Sequence, residues 1–173
     1  MEDNPPRTSE YWIRKLDLIK HPEGGYFGES YRCPETVHLK SGSTVLERQL
    51  ASSIYFLLPE GEVSCFHRLR YDEIWYFHDG SPLTISMIDG KGELHQQKLG
   101  LDVAEGDLPQ IVVPRGCIFG AAVCRDDSYT LMGCVVSPGF DYQDFELLSR
   151  DVLMKEYPQY REIIWKLTKP TIH

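Results

Sequence analysis

His67 and Glu73 are the residues of this chain whose types and spacing best suit chemistry. They lie in the stretch GEVSCFHRLRYDEIWYFHDG at 61–80. An imidazole and a carboxylate brought together can move a proton, with Glu73 as general base and His67 as acid or substrate-orienting donor. They are also two of the three or four donors that a catalytic metal requires. In a strand, residues two apart face the same side. If 64–69 is a strand, Leu69 shares the face of His67 and offers no donor. If 73–78 is a strand, Trp75 and Phe77 share the face of Glu73, and His78 points away. Burial would raise the pKa of the glutamate, and a nearby histidinium would lower it.

Other side chains are candidates for holding a ligand. Trp75, Phe77, Tyr55 and Phe66 can stack on a flat ring or fill a core. Arg32 and Arg48 can grip a carboxylate or phosphate through two parallel N–H donors. Gln110 reads as a pocket amide or as a strand-edge residue. In HPEGGY, at 21–26, two glycines permit close backbone approach to a ligand or strand, and the stretch also reads as a plain turn. His38 and His95 sit in polar stretches and are expected at the surface.

These residues need a scaffold, and the pattern around them is that of strands. SIYFLL (53–58), EIWYFH (73–78), LTISMI (83–88), IVV (111–113), CIFGAAV (117–123) and TLMGCVV (130–136) are short, β-branched and aromatic. Turn signals separate them, and AspGlyLysGly at 89–92 predicts a hairpin. Helical spacing of Trp12, Ile13, Leu16 and Ile19 predicts a helix over about 8–19, capped by Thr8 or Ser9. Barrel strands are expected over about 26–148. Helices return over about 149–167, where Ser149 caps one and Pro158 opens the next. One domain over 1–173 is the natural reading of this length.

The net charge of −8 without a basic run argues against nucleic acid and against an anionic membrane surface. No apolar stretch approaches a membrane span, and the acidic N-terminus is unlike a signal peptide. Five scattered cysteines without a CxxC pair fit reduced thiols in a cytoplasmic protein. No phosphate loop or nucleophile elbow is present.

The frame from Gly61 through His67, Leu69 and Glu73 to Gly80 resembles the first motif of the cupin superfamily. In that motif a second histidine stands at the position of Leu69. The second motif, a Pro-x-Gly turn followed by a histidine, is matched by Pro114-Arg115-Gly116 with Phe119 at the histidine position. Cys117 shares the strand parity of Phe119. Four segments extend the likeness: HPEGGYFGESYR (21–32), SSIYFLLPEGEVSCFHRLRYDEIWYFHDGSPL (52–83), PQIVVPRG (109–116) and VVSPGFDYQDFELL (135–148). They resemble the RmlC-like cupin family catalogued as a domain of unknown function. The resemblance implies an all-β fold, a double-stranded β-helix (jelly-roll) barrel with short helices at both termini, and a homodimer. It implies an interior pocket for a small molecule, and residue type and strand parity make His67, Glu73, Trp75, Phe77, Tyr55, Phe119, Gln110 and Arg32 the residues expected to line it. Members tend to carry arginine and histidine where this chain has Gly28 and Tyr76. They tend to carry tryptophan, tryptophan and glutamine where it has Cys117, Ile118 and Phe119. With two donor positions lost, no metal cofactor is expected, and any residual site would use His67 and Glu73. The expected functions are then a metal-independent isomerase or epimerase using Glu73 and His67, or a non-catalytic ligand-binding cupin. A metal-dependent oxygenase or isomerase comes last.

Overall fold

The computed structural model describes residues 7–126 and 128–170. The chain runs α1 (Ser9–Lys15), β1 (Ile19–Lys20), β2 (Tyr26–Arg32), β3 (Thr36–Ser41), β4 (Thr44–Gln49) and β5 (Ser52–Leu58). It continues β6 (Val63–Leu69), β7 (Glu73–Gly80), β8 (Leu83–Ile88), β9 (Leu94–Leu99), β10 (Gln110–Val113), β11 (Ile118–Val123) and β12 (Thr130–Val136). After β13 (Phe145–Leu147) come α2 (Arg150–Glu156) and α3 (Arg161–Lys166). Among the described residues, no helix is long and apolar enough to cross a membrane.

Two antiparallel sheets face each other in the expected jelly roll. One has the order β1-β2-β5-β12-β7-β10 and the other β13-β6-β11-β8-β9; β3 and β4 form a separate hairpin. The inward parity of each sheet builds the main core. Phe56, Trp75, Ile111, Met132, Cys134 and Val136 meet Leu69, Leu83, Ile85, Met87 and Phe119 from the opposite layer. The outward parity is covered by the terminal helices. Phe66, Ile88, Ile118 and Ala122 pack under Leu153, Ile164 and Leu167. Leu57 and Leu131 pack with Leu18 beneath Trp12, Ile13 and Leu16 of α1. Strands that bury both faces read as nearly continuous apolar runs, which is why β5, β8, β11 and β12 were legible in the sequence.

Two elements differ from expectation. The first helix ends at Lys15 rather than near 19. Thr8 caps it by accepting from the Tyr11 N–H. Asp17, at φ 51°, turns the chain so that Leu18 reaches the core from extended backbone. The bend buries Leu18 and leaves Ile19, which continued the helical spacing, 63% exposed, so the spacing overran the helix. The β3–β4 hairpin is absent from the expected runs: Val37 and Leu39 alternate with polar residues in β3, but the pair is mostly exposed and lacks the continuous apolar character of the buried strands. The hairpin at 89–92, and the caps at Ser149 and Pro158, are where the pattern put them.

Candidate functional site

A cavity of about 230 Å³ opens between the two sheets at one end of the barrel. Glu29, Arg32 and Tyr142 stand at its exposed mouth. Its floor holds His21, Glu23, His67 and Glu73, each at most 9% exposed. Phe27, Phe56, Trp75, Phe140, Tyr142 and Phe145 supply aromatic walls.

Local backbone irregularities place the polar groups. In β6, Ser64 pairs with Ala121 and His67 with Phe119, so Cys65 and Phe66 oppose Gly120 alone. Such a bulge re-aims side chains. It turns both Ser64 and His67 inward, although they lie three residues apart. The freed Cys65 N–H donates to the Glu23 carbonyl. A similar register shift between Glu29 and Tyr31 in β2 leaves Glu29 and Arg32 together on the cavity side. Glu23 itself is delivered by the turn from His21 to Gly25. Gly24 sits at φ 118°, and a Cβ there would lie 2.1 Å from the Val63 carbonyl oxygen. Gly25 sits at φ 69°, and its Cβ would lie 2.7 Å from the Leu57 oxygen. Only glycine fits both the conformation and the approach.

The floor is one network. His67 donates through Nδ1 to the Cys65 carbonyl at 2.7 Å. That fixes Nε2, 3.2 Å from Glu23 Oε2, as an acceptor in the neutral ring. Ser64 Oγ donates to Glu23 Oε1 at 2.7 Å. His21 Nδ1 lies 3.4 Å from Glu23 Oε2 and accepts from the Glu23 backbone N–H. Trp75 Nε1–H donates to Glu73 Oε2 at 2.7 Å. Glu73 Oε1 receives no hydrogen bond from the described residues and borders the cavity.

Burial disfavours charge throughout this floor. It holds Glu23 above the usual carboxylate range, against the pull of His21 and Ser64. It holds His67 and His21 below the usual imidazole range. Glu73 is pushed up to about 7, by burial first and the Glu23 carboxyl second, while His67 and the Trp75 donor pull it down. Burial thus favours neutral imidazoles and protonated carboxyls on this floor. A protonated Glu23 can donate from Oε2 to His67 Nε2. The Cys134 thiol on the wall is pushed up by burial and is inert as a nucleophile.

Of the residues singled out in the sequence, His67, Glu73, Trp75 and Arg32 line the cavity together. Phe119 lies behind the floor, its ring centroid 4.1 Å from that of His67, and it is core. Phe77 shares the inward face of Trp75 but packs on the core beyond the cavity. Tyr55 faces outward, with its ring near His78, because β5 turns Ile54 and Phe56 inward. Gln110 is exposed on the edge strand opposite Tyr76. Arg48 is buried and committed to Asp144, with Nε 2.6 Å from Oδ2, so it is not open to a ligand. His38 is exposed, and His95 pairs with Asp89 at the surface.

The positions at which this chain departs from the residues usual in the family, from Gly28 to Phe119, lie off the cavity. Gly28 faces Leu18, Tyr76 sits opposite Gly133 on the outer face, and Ile118 packs under the C-terminal helices. Cys117 belongs to the main core. His21 and Glu23 were missed as site residues. Their signal was the paired glycines after them, whose need for close strand approach fixes the turn inside the barrel.

Leu69 lines the cavity and Phe119 abuts His67, so neither second donor of a cupin metal set exists. The remaining donors do not converge. Among the described residues, the only three such groups with donor atoms all within 4.8 Å are Asp89, Glu93 and His95, at the surface. The floor does not fit a conventional cupin metal centre.

The model of the cupin superfamily family DUF985 matches residues 10–148. An uncharacterised protein of Saccharomyces cerevisiae is 30% identical over 162 residues, covering 87% of this chain and 80% of its own. A crystal structure of a Shewanella oneidensis protein superposes with a TM-score of 0.87 at 49% identity, over 96% of this chain and 100% of that one. A hypothetical protein from Leishmania major gives 0.86 at 37% identity, over 94% and 99%. Oxalate decarboxylase from Lactobacillus farciminis, at 13% identity and a TM-score of 0.55 over 90% of this chain and 42% of that one, shares the fold alone. Motif frame, jelly-roll topology and matched length agree: this chain belongs to the DUF985 family of the cupin superfamily.

Proposed function

We propose that this protein binds a small molecule in its barrel and acts on it by metal-independent acid–base chemistry, as an isomerase or epimerase does. One observation carries the reading: a mouth-accessible cavity whose floor joins two buried glutamates and a histidine, with Glu73 poised near neutral pH and one of its oxygens open. A base is most effective when its proton affinity matches the working pH. Perturbed groups in a cleft mark functional sites more often than chance.

The chemistry follows from the protonation pattern. Ionised Glu73 takes a proton from a carbon beside a carbonyl. The Glu23–His67 pair holds a second proton that can return to the substrate, so no net proton is consumed. Glu73 then releases its proton to water at the mouth and the Glu23–His67 pair takes one up, so both groups return to their starting forms. A purely ligand-binding role is the second reading, favoured by the six aromatic rings around the cavity. The missing donors at Leu69 and Phe119 support a reaction without a metal. Elemental analysis is expected to find well under one transition metal per chain. A stoichiometric metal that is lost on His67→Ala overturns this part.

The Trp75 indole N–H reports on Glu73 directly. Its nitrogen-15 NMR signal is expected to move with pH around 7 and to respond when small metabolites enter, and Glu73→Gln is expected to abolish both responses while the fold persists. If Glu73→Gln instead unfolds the protein, and no metabolite class moves the wild-type signal, the pair is only structural.

A further inference from the structure

The charge inside the cavity specifies what it accepts. Three carboxyls line it, those of Glu23, Glu29 and Glu73, against one guanidinium, Arg32, and two imidazoles kept neutral by burial. Arg32 is already engaged. Its Nε and Nη2 grip the Glu29 carboxylate, and Nη1 donates to Gln49 Oε1 and to the Phe140 carbonyl. An anionic ligand would therefore meet no open cation among the lining residues. On the floor it would face Glu73, whose own charge is already disfavoured by burial and by the neighbouring Glu23. What the floor lacks is a donor for Glu73 Oε1. That atom belongs to a side chain more than nine-tenths buried, and it borders the cavity without a protein partner among the described residues. Beside it stand Trp75 and Phe56, edge to face at 5.9 Å, with Phe27, Phe145 and Tyr142 across the space. Aromatic faces attract cations and flat rings, more strongly once water is excluded.

We propose that the cavity selects a small, flat, nitrogen-bearing ligand, neutral or cationic, that sets an N–H donor on Glu73 and its ring among the aromatic walls. Carboxylates and phosphates are refused at the floor. This rests on the cavity being a ligand site, as proposed above, and it adds the chemical class of the ligand.

Benzamidine and benzoate are matched probes, since they share a ring and differ in the sign of charge. Each is titrated into the full chain while the Trp75 indole signal is followed by NMR. Benzamidine is expected to shift that signal and to bind at least about tenfold tighter than benzoate, as suits a charged hydrogen bond. Its binding is expected to strengthen from about pH 6 to about pH 8 as Glu73 ionises. Glu73→Gln is expected to weaken it about tenfold. Benzoate binding as tightly as benzamidine, with a Trp75 shift lost in Glu73→Gln, overturns the ligand class and leaves the cavity as a binding site. Benzamidine binding unchanged by Glu73→Gln also overturns the class, because the probe then sits on another acidic surface. If neither probe moves Trp75 at any pH, both the ligand class and the binding reading fall.

Discussion

Glu73 sets a pH dependence whose sign is fixed by its environment. Its carboxyl is pushed from an ordinary 4.5 up to about 7 in the folded chain. Between those values the native state holds a proton that the unfolded state has released. Stability from this group is therefore complete below about 4.5 and declines as pH rises toward 7. The loss amounts to about 3 kcal/mol at most. Glu73→Gln keeps an acceptor for the Trp75 indole and removes the titration. Its stability relative to wild type is expected to rise between pH 4.5 and 7, read by urea denaturation at several pH values. A constant difference across that range would mean that Glu73 titrates like an exposed carboxylate. His67 and His21 are shifted down, so their contribution runs the other way, being lost as pH falls below the ordinary imidazole value. His67→Gln should therefore flatten the acid limb instead.

At the scale of elements, short irregular pieces hold the site, and regular ones hold the barrel. The His21–Gly25 turn puts Glu23 against Ser64 and His67. Gly24→Ala must relieve a contact with the Val63 backbone in a conformation that disfavours alanine. A cost of about 3 kcal/mol or more is expected in chemical denaturation. A loss below about 1 kcal/mol would show that the turn can relax outward. The segment from Phe140 to Phe145 walls the cavity and is pinned by the buried Arg48–Asp144 pair. Arg48→Met leaves the buried Asp144 carboxylate with only the partly exposed Arg70, 3.5 Å away, and is expected to cost about 3 kcal/mol. On the outer face, Leu153 is fully buried against the five-stranded sheet. Leu153→Ala is expected to cost about 3 kcal/mol, leaving the Trp75 signal in place.

At the scale of the molecule, the six-stranded sheet is only partly covered on its outside. Helix α1 covers Leu57 and Leu131, while Tyr55 and Val112 on the same sheet remain substantially exposed. Strand β10 is an edge, paired through β7 alone within its sheet. Exposed apolar edges favour association. We therefore expect a homodimer, measured as twice the chain mass by light scattering at micromolar concentration. A monomer at that concentration would count against it.

The sequence by itself determined the apolar strands β5, β7, β8, β10, β11 and β12, the motif frame and the inward facing of His67, Glu73 and Trp75. Parity is a local property, and strands buried on both faces cannot hide their apolar character. It also determined that Leu69 and Phe119 supply no metal donor, since that is a matter of residue type. Only the tertiary structure decided which residues share the cavity. Tyr55 and Gln110 look like pocket residues until the sheet order assigns their faces. His21 and Glu23 look like a loop until Gly24 and Gly25 fold them between β5 and β6. Bulges at Cys65–Phe66, opposite Gly120, and at Ser30 break the period of two, and so place Ser64 with His67 and Glu29 with Arg32. A bulge arises where partner strands disagree in register, and no single strand's sequence records its partner's register.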